Sequence, residues 1–519
     1  MNDLNLKQIL SRDAAKLYFV GIGGIAMSAA ANIAKNFGYE VLGSDSKEVY
    51  APAKDVLDGN GIKYYVGYDQ RHIIDAKADL FILSAGENLE NPEVKYIVDK
   101  DLSKVGLAEL LYELSKNNLR VVVAGTHGKT TTAGLLGHLI KNLDDGSFMA
   151  GGVLQNYQSN FYKGTGHYFV FEGDEYKEQF DDPTPKFHYY KADILVLTNL
   201  EYDHPDQFSS LGDLEREFEL LIEAMPDDGL IIYNADNAAL TRLVHQSNVA
   251  SVGFAIDNEA DFQAVDVDFA SDVTTFRVKN NNSKDQLSKL LGATEEYKIQ
   301  LPGKINVYNS LAAVATLRTL GFSRENLLLD LLSYKGIKRR FEVVGVKNGI
   351  TIIDDYAHHP TAVKETLEAA RLKFFGVGPA TGWPLQESGG QSLIASRQSF
   401  ARLWAIFEPH TFSRTKATLP ELTTAFSAAD EVLISDIYPA REKATSATIT
   451  SEEVVKAISA HAPPLPLGEG QGEGPKIRLV HNKQEALSIL KKEAKPGDVL
   501  IVMAVGSFNR LAYELKEVL

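Results

Sequence analysis

The residues with the clearest chemical potential form a short glycine loop. The stretch "VVVAGTHGKTTTAGLLGHLI" (121–140) runs from an apolar segment through Gly125, Gly128, Lys129 and Thr130 into helix-favouring residues. Such a loop exposes backbone N–H groups at a helix N-terminus, and these groups and the helix dipole bind phosphates. Lys129 would reach the β and γ oxygens, and the Thr130 hydroxyl would ligate Mg²⁺. The loop predicts nucleoside triphosphate binding, and a plain strand-to-helix turn is the alternative.

A second group of polar residues follows two predicted strands. Glu172, Asp174 and Glu175 end "HYFVFEGDE", and Asp203 and His204 follow "ADILVLTNL". The carboxyl ends of strands in an α/β sheet share one edge with the phosphate loop. Carboxylates there suit Mg²⁺, and a neutral imidazole could complete a second metal site. The alternative is an acidic loop rim with a capping Asp-His pair.

A second glycine motif lies near the start of the chain. In "GIGGIAMS", Gly21, Gly23 and Ala26 fit G-x-G-x-x-[GA] between a strand and a helix, and Asp45 ends the next strand. This pattern favours a pyrophosphate over the helix N-terminus, with a ribose or base near Asp45. It does not identify the nucleotide, so an NAD-binding dehydrogenase remains open, as do glycines required only for close packing.

The last third of the chain carries four polar motifs: "RRFE" (339–342), "DDYAHHP" (354–360), "EPHTFSRT" (408–415) and "DIYPARE" (436–442). Three of them follow predicted strands, which places basic, acidic and imidazole groups at one sheet edge. Together they predict a lid that closes basic residues onto anionic reactants. His358 and His359 could form a metal pair, but adjacent residues diverge, so separate stacking and packing roles are favoured.

The elements that position these motifs predict an α/β protein of three domains. Strand, turn and helix alternate throughout, which is typical of mostly parallel sheets. We expect a Rossmann-like N-terminal domain (1–118), a P-loop-type central ATPase domain with a mostly parallel sheet (119–332) and a Rossmann-like C-terminal ligase domain (333–519). Helices are expected at 129–142, 211–225 and 306–320, an antiparallel flap within 261–303, and surface insertions at 376–399 and 461–476.

The amino-acid composition excludes thiol chemistry and argues against nucleic-acid and membrane partners. The 519 residues contain no cysteine, so disulfides and thiolate chemistry are excluded. A net charge of −16 argues against nucleic acid as the main partner. No apolar run is long enough to span a membrane, and the first residues lack the pattern of a signal peptide. We therefore expect a cytoplasmic protein without a membrane partner.

The motifs "GTHGKTTT", "EGDE", "TNLEYDH", "RRFE" and "DDYAHHP" resemble those of the Mur ligases, the ATP-dependent amide-forming enzymes of peptidoglycan synthesis. The resemblance covers nearly the whole chain apart from the two insertions. Further motifs, such as "FEPHTFSRT" and "DIYPARE", are similar to those of the member that adds L-alanine to UDP-N-acetylmuramate. The resemblance implies that the chain adds L-alanine to UDP-N-acetylmuramate and that the reaction passes through an acyl phosphate. It also implies ATP as co-substrate and two Mg²⁺ ions.

The resemblance also implies a role for individual positions. The ATP-binding residues would be Gly125, Thr126, His127, Gly128, Lys129, Thr130, Thr131, Asn306, Asn309, Arg340, Asp355 and His358. The UDP-sugar would contact Gly21, Gly23, Gly24, Met27, Ser28 and Asp45. Metal ligands would be Thr130, Glu172 and His204, and the catalytic group would be Lys129, Glu172, His204, Arg340 and Arg414. His410 and Arg441 would lie near the reacting end.

Two positions depart from the family pattern. The usual "GxHN" reads Gly303-Lys-Ile-Asn306, and the usual "GAGD" reads "AVGSFNRL" (504–511). Neither change affects the phosphate loop or the metal carboxylates. A ligase that attaches a recycled tripeptide to the same UDP-sugar is the nearest alternative, and a non-catalytic nucleotide sensor is a third. The sequence leaves open whether the protein is a monomer or a homodimer.

Overall fold

The computed structural model describes residues 3–12, 14–205, 207–269, 273–281, 294–376, 401–440, 442–445, 448–461 and 474–519. The chain forms three parallel or mostly parallel sheets in sequence order, each flanked by helices. The predicted α/β class with three sheet units is confirmed. The predicted insertions fall almost entirely outside the described residues. In the described part of the chain, no helix has the length and apolar character needed to cross a bilayer.

The first unit has a five-stranded parallel sheet in the order β3-β2-β1-β4-β5, the order of a Rossmann half-sheet. All four residues of β4 are buried, as expected where helices cover both faces. The strands are β1 Lys16–Val20, β2 Glu40–Asp45, β3 Lys63–Val66, β4 Leu80–Leu83 and β5 Lys104–Val105. The helices are α1 Asp3–Leu10, α2 Ile25–Asn36, α3 Ala53–Gly59, α4 Gln70–Ala76, α5 Pro92–Asp99 and α6 Leu107–Leu114.

The middle unit is built on a ten-stranded sheet in the order β17-β16-β15-β14-β13-β12-β6-β9-β7-β8. Its centre is parallel, and antiparallel strands extend both ends. The strands are β6 Leu119–Ala124, β7 Ser147–Leu154, β8 Ser159–Tyr162, β9 Tyr168–Glu172, β12 Ile194–Leu197, β13 Leu230–Asn234, β14 Ala250–Ala255, β15 Phe262–Asp268, β16 Thr274–Asn280 and β17 Glu295–Ile299. A separate hairpin pairs β10 Lys177–Gln179 with β11 Asp182–Pro185.

The helices of the middle unit are α7 Lys129–Asp144, α8 Lys186–Tyr189, α9 Leu211–Glu223, α10 Ala238–Gln246, α11 Lys304–Thr319 and α12 Arg324–Ser333. The three helices predicted here are therefore confirmed to within a few residues at each end. The predicted antiparallel flap is β15 to β17, and it continues the main sheet because β15 pairs in parallel with β14.

The third unit has a six-stranded sheet in the order β18-β19-β23-β20-β21-β22. Among these described strands, only the β18–β19 pair is antiparallel. The strands are β18 Glu342–Lys347, β19 Ile350–Asp355, β20 Leu403–Phe407, β21 Glu431–Ser435, β22 Lys476–Val480 and β23 Val499–Met503. The helices are α13 Pro360–Ala370, α14 Phe412–Ala417, α15 Leu419–Ala425, α16 Ser451–His461, α17 Lys483–Glu493 and α18 Arg510–Val518, with a π-helical turn at Arg371–Phe375 and a 3₁₀ turn at Ser507–Asn509.

The first two units share a hydrophobic core. One cluster contains Leu17 and Ala30 of the first unit together with Phe171 and Leu195 of the middle sheet. The opposite face of the middle sheet is covered by α7, α11 and α12. The third unit has its own clusters on the two faces of its sheet. The carboxyl ends of β6, β9 and β12 are thus held on a packed middle layer, and their loops build the site.

Candidate active site

The phosphate loop lies between β6 and α7, as its sequence predicts. Gly125 and Gly128 have φ values of +137° and +79°, which favour glycine. Gly128 precedes the first helical residue, Lys129, so the loop backbone faces the start of α7. The Lys129 ammonium donates to the Gly125 carbonyl over 2.5 Å and lies 2.7 Å from Glu175 Oε2. The loop thus holds a buried cation beside the helix N-terminus.

Thr130 and Glu172 form the next part of the site. The Thr130 hydroxyl donates to Glu172 Oε1 over 2.8 Å, and the Gly151 N–H donates to Oε2 over 2.6 Å. Burial raises the pKa of Glu172 despite the nearby Lys129. A Mg²⁺ ion would restore the charged form, because hard cations prefer carboxylate and hydroxyl oxygens. The donor set therefore fits the metal that the resemblance implies.

His204 reaches the same carboxylate cluster from the loop after β12. Its Nε2 lies 2.8 Å from Glu175 Oε1, and its Nδ1 lies 2.8 Å from the Tyr176 hydroxyl. Burial lowers the pKa of His204, but Glu175 and Asp203 outweigh burial and raise it overall. Burial likewise opposes ionisation of Glu175, yet Lys129 and His204 lower its pKa. Glu175 therefore bridges two of the predicted catalytic residues, Lys129 and His204.

Arg414 of α14 connects the third unit to this cluster. Its Nε donates to Asp203 Oδ1 over 2.7 Å, and its two terminal nitrogens lie 2.8 Å from His410 Nδ1 and 2.9 Å from His204 Nδ1. Burial would raise the pKa of Asp203, but His204 and Arg414 hold it well below its usual range. The predicted lid residues His410 and Arg414 therefore meet the middle unit at a buried ion pair.

The two neighbouring histidines of the third unit point to different partners. The His358 ring packs edge-on against the His410 ring at 5.4 Å, whereas the His359 ring lies 4.6 Å from that of His127 in the phosphate loop. Burial and the charge of Arg414 lower the pKa of His358 well below its usual value. Burial and His127 lower the pKa of His359 to about 4. The expected divergence of the pair is confirmed.

The residues predicted on the nucleoside side lie on α11 and beside β18 and β19 of the third unit. Asn309 is buried and accepts a hydrogen bond from Thr132 over 3.1 Å, and it donates to Asn306 over 3.2 Å. In the third unit, Asp355 accepts hydrogen bonds from the Phe341 and Ala357 N–H groups, each over 2.6 Å. The Arg340 guanidinium lies 4.8 Å from the Tyr356 ring centre.

One cavity of about 660 Å³ brings most of these residues together. It extends from the phosphate loop to the third unit, and α2 of the first unit contributes Ile25 and Ala26 to its wall. The predicted site residues that line it are Thr126, His127, Gly128, Lys129, Thr130, Thr131, Glu172, His204, Asn306, Asn309, Arg340, Asp355, His358, His410 and Arg414. Gly125 is not part of the wall, and Arg441 lies outside the described residues.

The predicted UDP-sugar residues lie beside the cavity rather than on its wall. Gly21, Gly23, Gly24, Met27, Ser28 and Asp45 are absent from the lining, although Ile25 and Ala26 of the same turn and helix belong to it. The Gly23 N–H donates to Asp45 Oδ2 over 2.9 Å, and a Cβ at Gly23 would lie 2.7 Å from that oxygen. Asp45 thus packs against the glycine turn.

Comparison with known families covers the three units in turn. The Mur ligase family, catalytic domain, matches residues 16–118, and the Mur ligase middle domain matches residues 123–317. The Mur ligase, glutamate ligase domain, matches residues 339–378. The chain belongs to the Mur ligase family. In this Mur ligase, the middle-domain match contains the phosphate loop, the carboxylates and both predicted asparagines.

This Mur ligase is similar to proteins of two named activities. The UDP-N-acetylmuramate–L-alanine ligase of Clostridium acetobutylicum is 32% identical over 510 residues, which is 98% of each chain. The structure of UDP-N-acetylmuramate-alanine ligase MurC from Thermotoga maritima has a TM-score of 0.73 at 22% identity, over 97% of this chain and 98% of that one. The murein peptide ligase Mpl from Psychrobacter arcticus has a TM-score of 0.67 at 26% identity, over 96% and 98%.

Three acidic residues of this Mur ligase have partners that only the structure reveals. Glu175 joins Lys129 to His204, Asp203 pairs with Arg414, and Glu201 lies 3.4 Å from His127. Glu175 and Asp203 are visible in the sequence as acidic residues after strands, but their partners are not. The position of Glu201, three residues before His204 in "TNLEYDH", is the only sequence signal for its place at the cavity.

Proposed function

We propose that this chain is an ATP-dependent ligase that joins L-alanine to the lactyl carboxylate of UDP-N-acetylmuramate. The single observation that carries the proposal is the shared cavity, in which Lys129, Glu172 and Arg414 face one space that α2 of the first unit also lines. A relative with that named activity is 32% identical over 98% of both chains. The cavity offers one place for a phosphate donor and an acid acceptor to meet.

The reaction needs activation because a carboxylate repels an amine and oxide is a poor leaving group. Transfer of the ATP γ-phosphate gives an acyl phosphate, which the alanine amine attacks with loss of phosphate. Protein groups in such reactions mainly position reactants and neutralise charge. The enzyme therefore needs no covalent nucleophile.

Lys129 of the middle unit and Arg414 of the third unit both supply positive charge to the cavity. Both are held by buried carboxylates, Glu175 and Asp203, so their side chains are oriented before substrates bind. Such preorganised charge stabilises the transition state without further rearrangement. Arg340, Asp355 and the two asparagines Asn306 and Asn309 would hold the nucleoside. Burial by the third unit keeps water from the acyl phosphate.

Thr130, Glu172 and His204 would hold Mg²⁺. The buried Glu172 and the adjacent Thr130 hydroxyl suit one ion, and the His204 imidazole would contribute to a second. When bound, the metal spreads the negative charge of the triphosphate and of the transferred phosphoryl group. The protein residues themselves fix these oxygens at the carboxyl end of β9 and the start of α7.

A phosphate-release assay with two varied substrates tests the proposal. We expect conversion of ATP to ADP and phosphate only when UDP-N-acetylmuramate and L-alanine are both present. Phosphate release with neither substrate, or with an unrelated acid acceptor, would contradict it. Strict dependence on both substrates would also exclude a non-catalytic nucleotide sensor, and lack of NAD binding would exclude the dehydrogenase alternative.

Ligation of a recycled tripeptide is the second candidate. It is favoured by the 26% identity with a murein peptide ligase over nearly the whole chain. The same assay separates the two, because a tripeptide-specific enzyme would release phosphate with tripeptide and not with L-alanine. The UDP-sugar site at the glycine turn, a cytoplasmic location and a monomeric or homodimeric state remain predictions.

A further inference from the structure

Three possible metal ligands from separate elements meet on one side of the cavity. His127 belongs to the phosphate loop, Glu201 follows β12, and His359 precedes α13 of the third unit. One ligand atom from each lies within 4.8 Å of the others. This group contains none of the residues that we assign to Mg²⁺.

One ring nitrogen of His127 lacks a close polar partner, as expected of a metal ligand without its ion. This Nε2 atom is buried and makes no hydrogen bond shorter than 3.4 Å among the residues that the structure describes. The same atom lies 3.4 Å from Glu201 Oε2. Two ligands bonded to one Zn²⁺ at about 2.0–2.1 Å lie about 3.4 Å apart in a tetrahedron. The pair therefore already has the separation of two zinc ligands.

The other two ligands are held in place by their surroundings. The Thr361 hydroxyl donates to Glu201 Oε2 over 2.9 Å. His359 caps α13 through a long 3.4 Å contact from the Thr361 N–H to its Nδ1. Metal binding through the other ring nitrogen would place the proton on Nδ1 and replace this weak contact. The Thr361 hydroxyl contact to Glu201 is an outer contact of the kind that orients metal ligands and tunes their affinity, whereas the His359 contact would be lost on metal binding.

We propose that His127, Glu201 and His359 form a Zn²⁺ site that joins the phosphate loop to the third unit. Two imidazole nitrogens and one carboxylate oxygen form a set that suits Zn²⁺ and not Mg²⁺, which prefers oxygen ligands alone. The fourth position faces the cavity, since all three residues line it. Zn²⁺ at this position ties the third unit to the middle unit.

Zinc binding to the full chain without nucleotide tests the site. His359→Asn removes the imidazole but keeps a residue that caps helices well, and Glu201→Gln keeps the acceptor for Thr361. We expect each variant to weaken the tightest Zn²⁺ binding, measured by calorimetry, by at least about 10-fold to 100-fold, because loss of an outer contact alone costs that much. His167→Gln is the matched control, because His167 is 85% exposed and pairs with Asp144 far from the cavity.

Thermal melting tests whether Zn²⁺ connects the third unit to the middle unit. Zn²⁺ should raise the melting temperature of the wild type and of His167→Gln, but not of His359→Asn, because a ligand stabilises the form that it binds. Excess Mg²⁺ should not displace the ion. Equal Zn²⁺ affinity in the wild type, His359→Asn and Glu201→Gln would overturn the proposal, and so would the absence of Zn²⁺ binding to the wild type. Neither result depends on which amino acid the enzyme ligates.

Discussion

At the scale of single residues, the site is organised by buried charges that satisfy one another. Lys129 and Glu175 are 12% and 3% exposed in their side chains, so neither charge is hydrated well. Their contact compensates the cost of burial, which falls heavily on an isolated buried ion. Burial lowers the pKa of Lys129, but Glu175 and Asp174 raise it overall, so the cation is kept for the phosphates.

Replacement of Lys129 should separate the chemistry from sugar binding. Lys129→Ala removes the cation nearest the predicted phosphates, and we expect ATP-dependent phosphate release to fall by at least about 100-fold. UDP-N-acetylmuramate affinity, measured by calorimetry, should be unchanged. Lys141→Ala, on the same helix but over the Tyr157 ring, is the control. Loss of sugar affinity together with turnover would contradict separate sites.

Two buried imidazoles should make stability depend on pH. Burial and His127 lower the pKa of His359 to about 4, and burial and Arg414 lower the pKa of His410 to about 4, from an ordinary 6.5. Between pH 6.5 and 4 the unfolded chain therefore binds protons that the folded chain does not. Unfolding free energy should decrease as the pH falls across this window, by about 1.4 kcal/mol per pH unit for each imidazole kept neutral.

Urea unfolding followed by tryptophan fluorescence measures this slope, since Trp404 is buried in the third sheet. The His359→Gln variant should have a smaller slope between pH 6.5 and 5 than the wild type, and the two should have the same slope above pH 7. An equal slope in the acidic window would show that the His359 imidazole is protonated in the folded protein.

At the scale of elements, the loop after β6 packs closely against its neighbours because Gly125 and Gly128 have no Cβ. Thr198 approaches the first glycine and Asn309 approaches the second. A Cβ at Gly128 would lie 2.5 Å from Asn309 Oδ1 on α11. Asn309 in turn accepts a hydrogen bond from Thr132 on α7. The glycine, the two helices and the nucleoside-side asparagine therefore form one packed unit, so the loop cannot change without moving α11.

Gly128→Ala should damage both stability and ATP binding. The positive φ of +79° costs about 1–2 kcal/mol for a residue with a Cβ, and the clash with Asn309 adds to it. We expect weaker ATP affinity by calorimetry, because Asn309 is displaced. Gly321→Ala is the matched control: Gly321 follows α11 with φ +92°, and a Cβ there would have no described atom within 4 Å. It should lose stability and keep ATP affinity.

At the scale of the whole molecule, the third unit docks on the middle unit through a buried ion pair. Arg414 and Asp203 are 5% and 4% exposed in their side chains and lie 2.7 Å apart. The planar guanidinium also reaches His204 and His410, which a lysine ammonium could not do with the same geometry. The domain that supplies these basic groups is thereby fixed over the carboxylates.

A double-mutant cycle should detect this contact. Arg414→Ala removes the cation closest to the buried Asp203 and leaves only contacts with His204, so we expect a loss of up to about 3–5 kcal/mol of unfolding free energy. Adding Asp203→Asn should cost little more, because the uncompensated charge is gone. Arg216→Ala breaks an exposed pair with Glu219 and should leave the unfolding free energy almost unchanged, because solvent screens such pairs. Additive effects of the two buried changes would mean that the units do not dock here.

Local sequence patterns are enough to predict the class of fold and most residues of the candidate site. The phosphate loop, helices at 129–142, 211–225 and 306–320, and the carboxylates after β9 depend on glycine placement and apolar periodicity, which act over a few residues. The structure places Lys129, Glu172 and His204 on one cavity for the same reason: their strands are parallel neighbours, and their carboxyl ends share one edge.

Tertiary packing decided which polar groups meet. The Arg414–Asp203 contact spans 211 residues, and nothing near either residue indicates its partner. The sequence predicts that His358 and His359 diverge, but it does not indicate their partners His410 and His127. The Arg414–Asp203 and His359–His127 contacts depend on how the third unit sits over the middle sheet, and that placement follows from the packing of whole units rather than from any local preference of the chain.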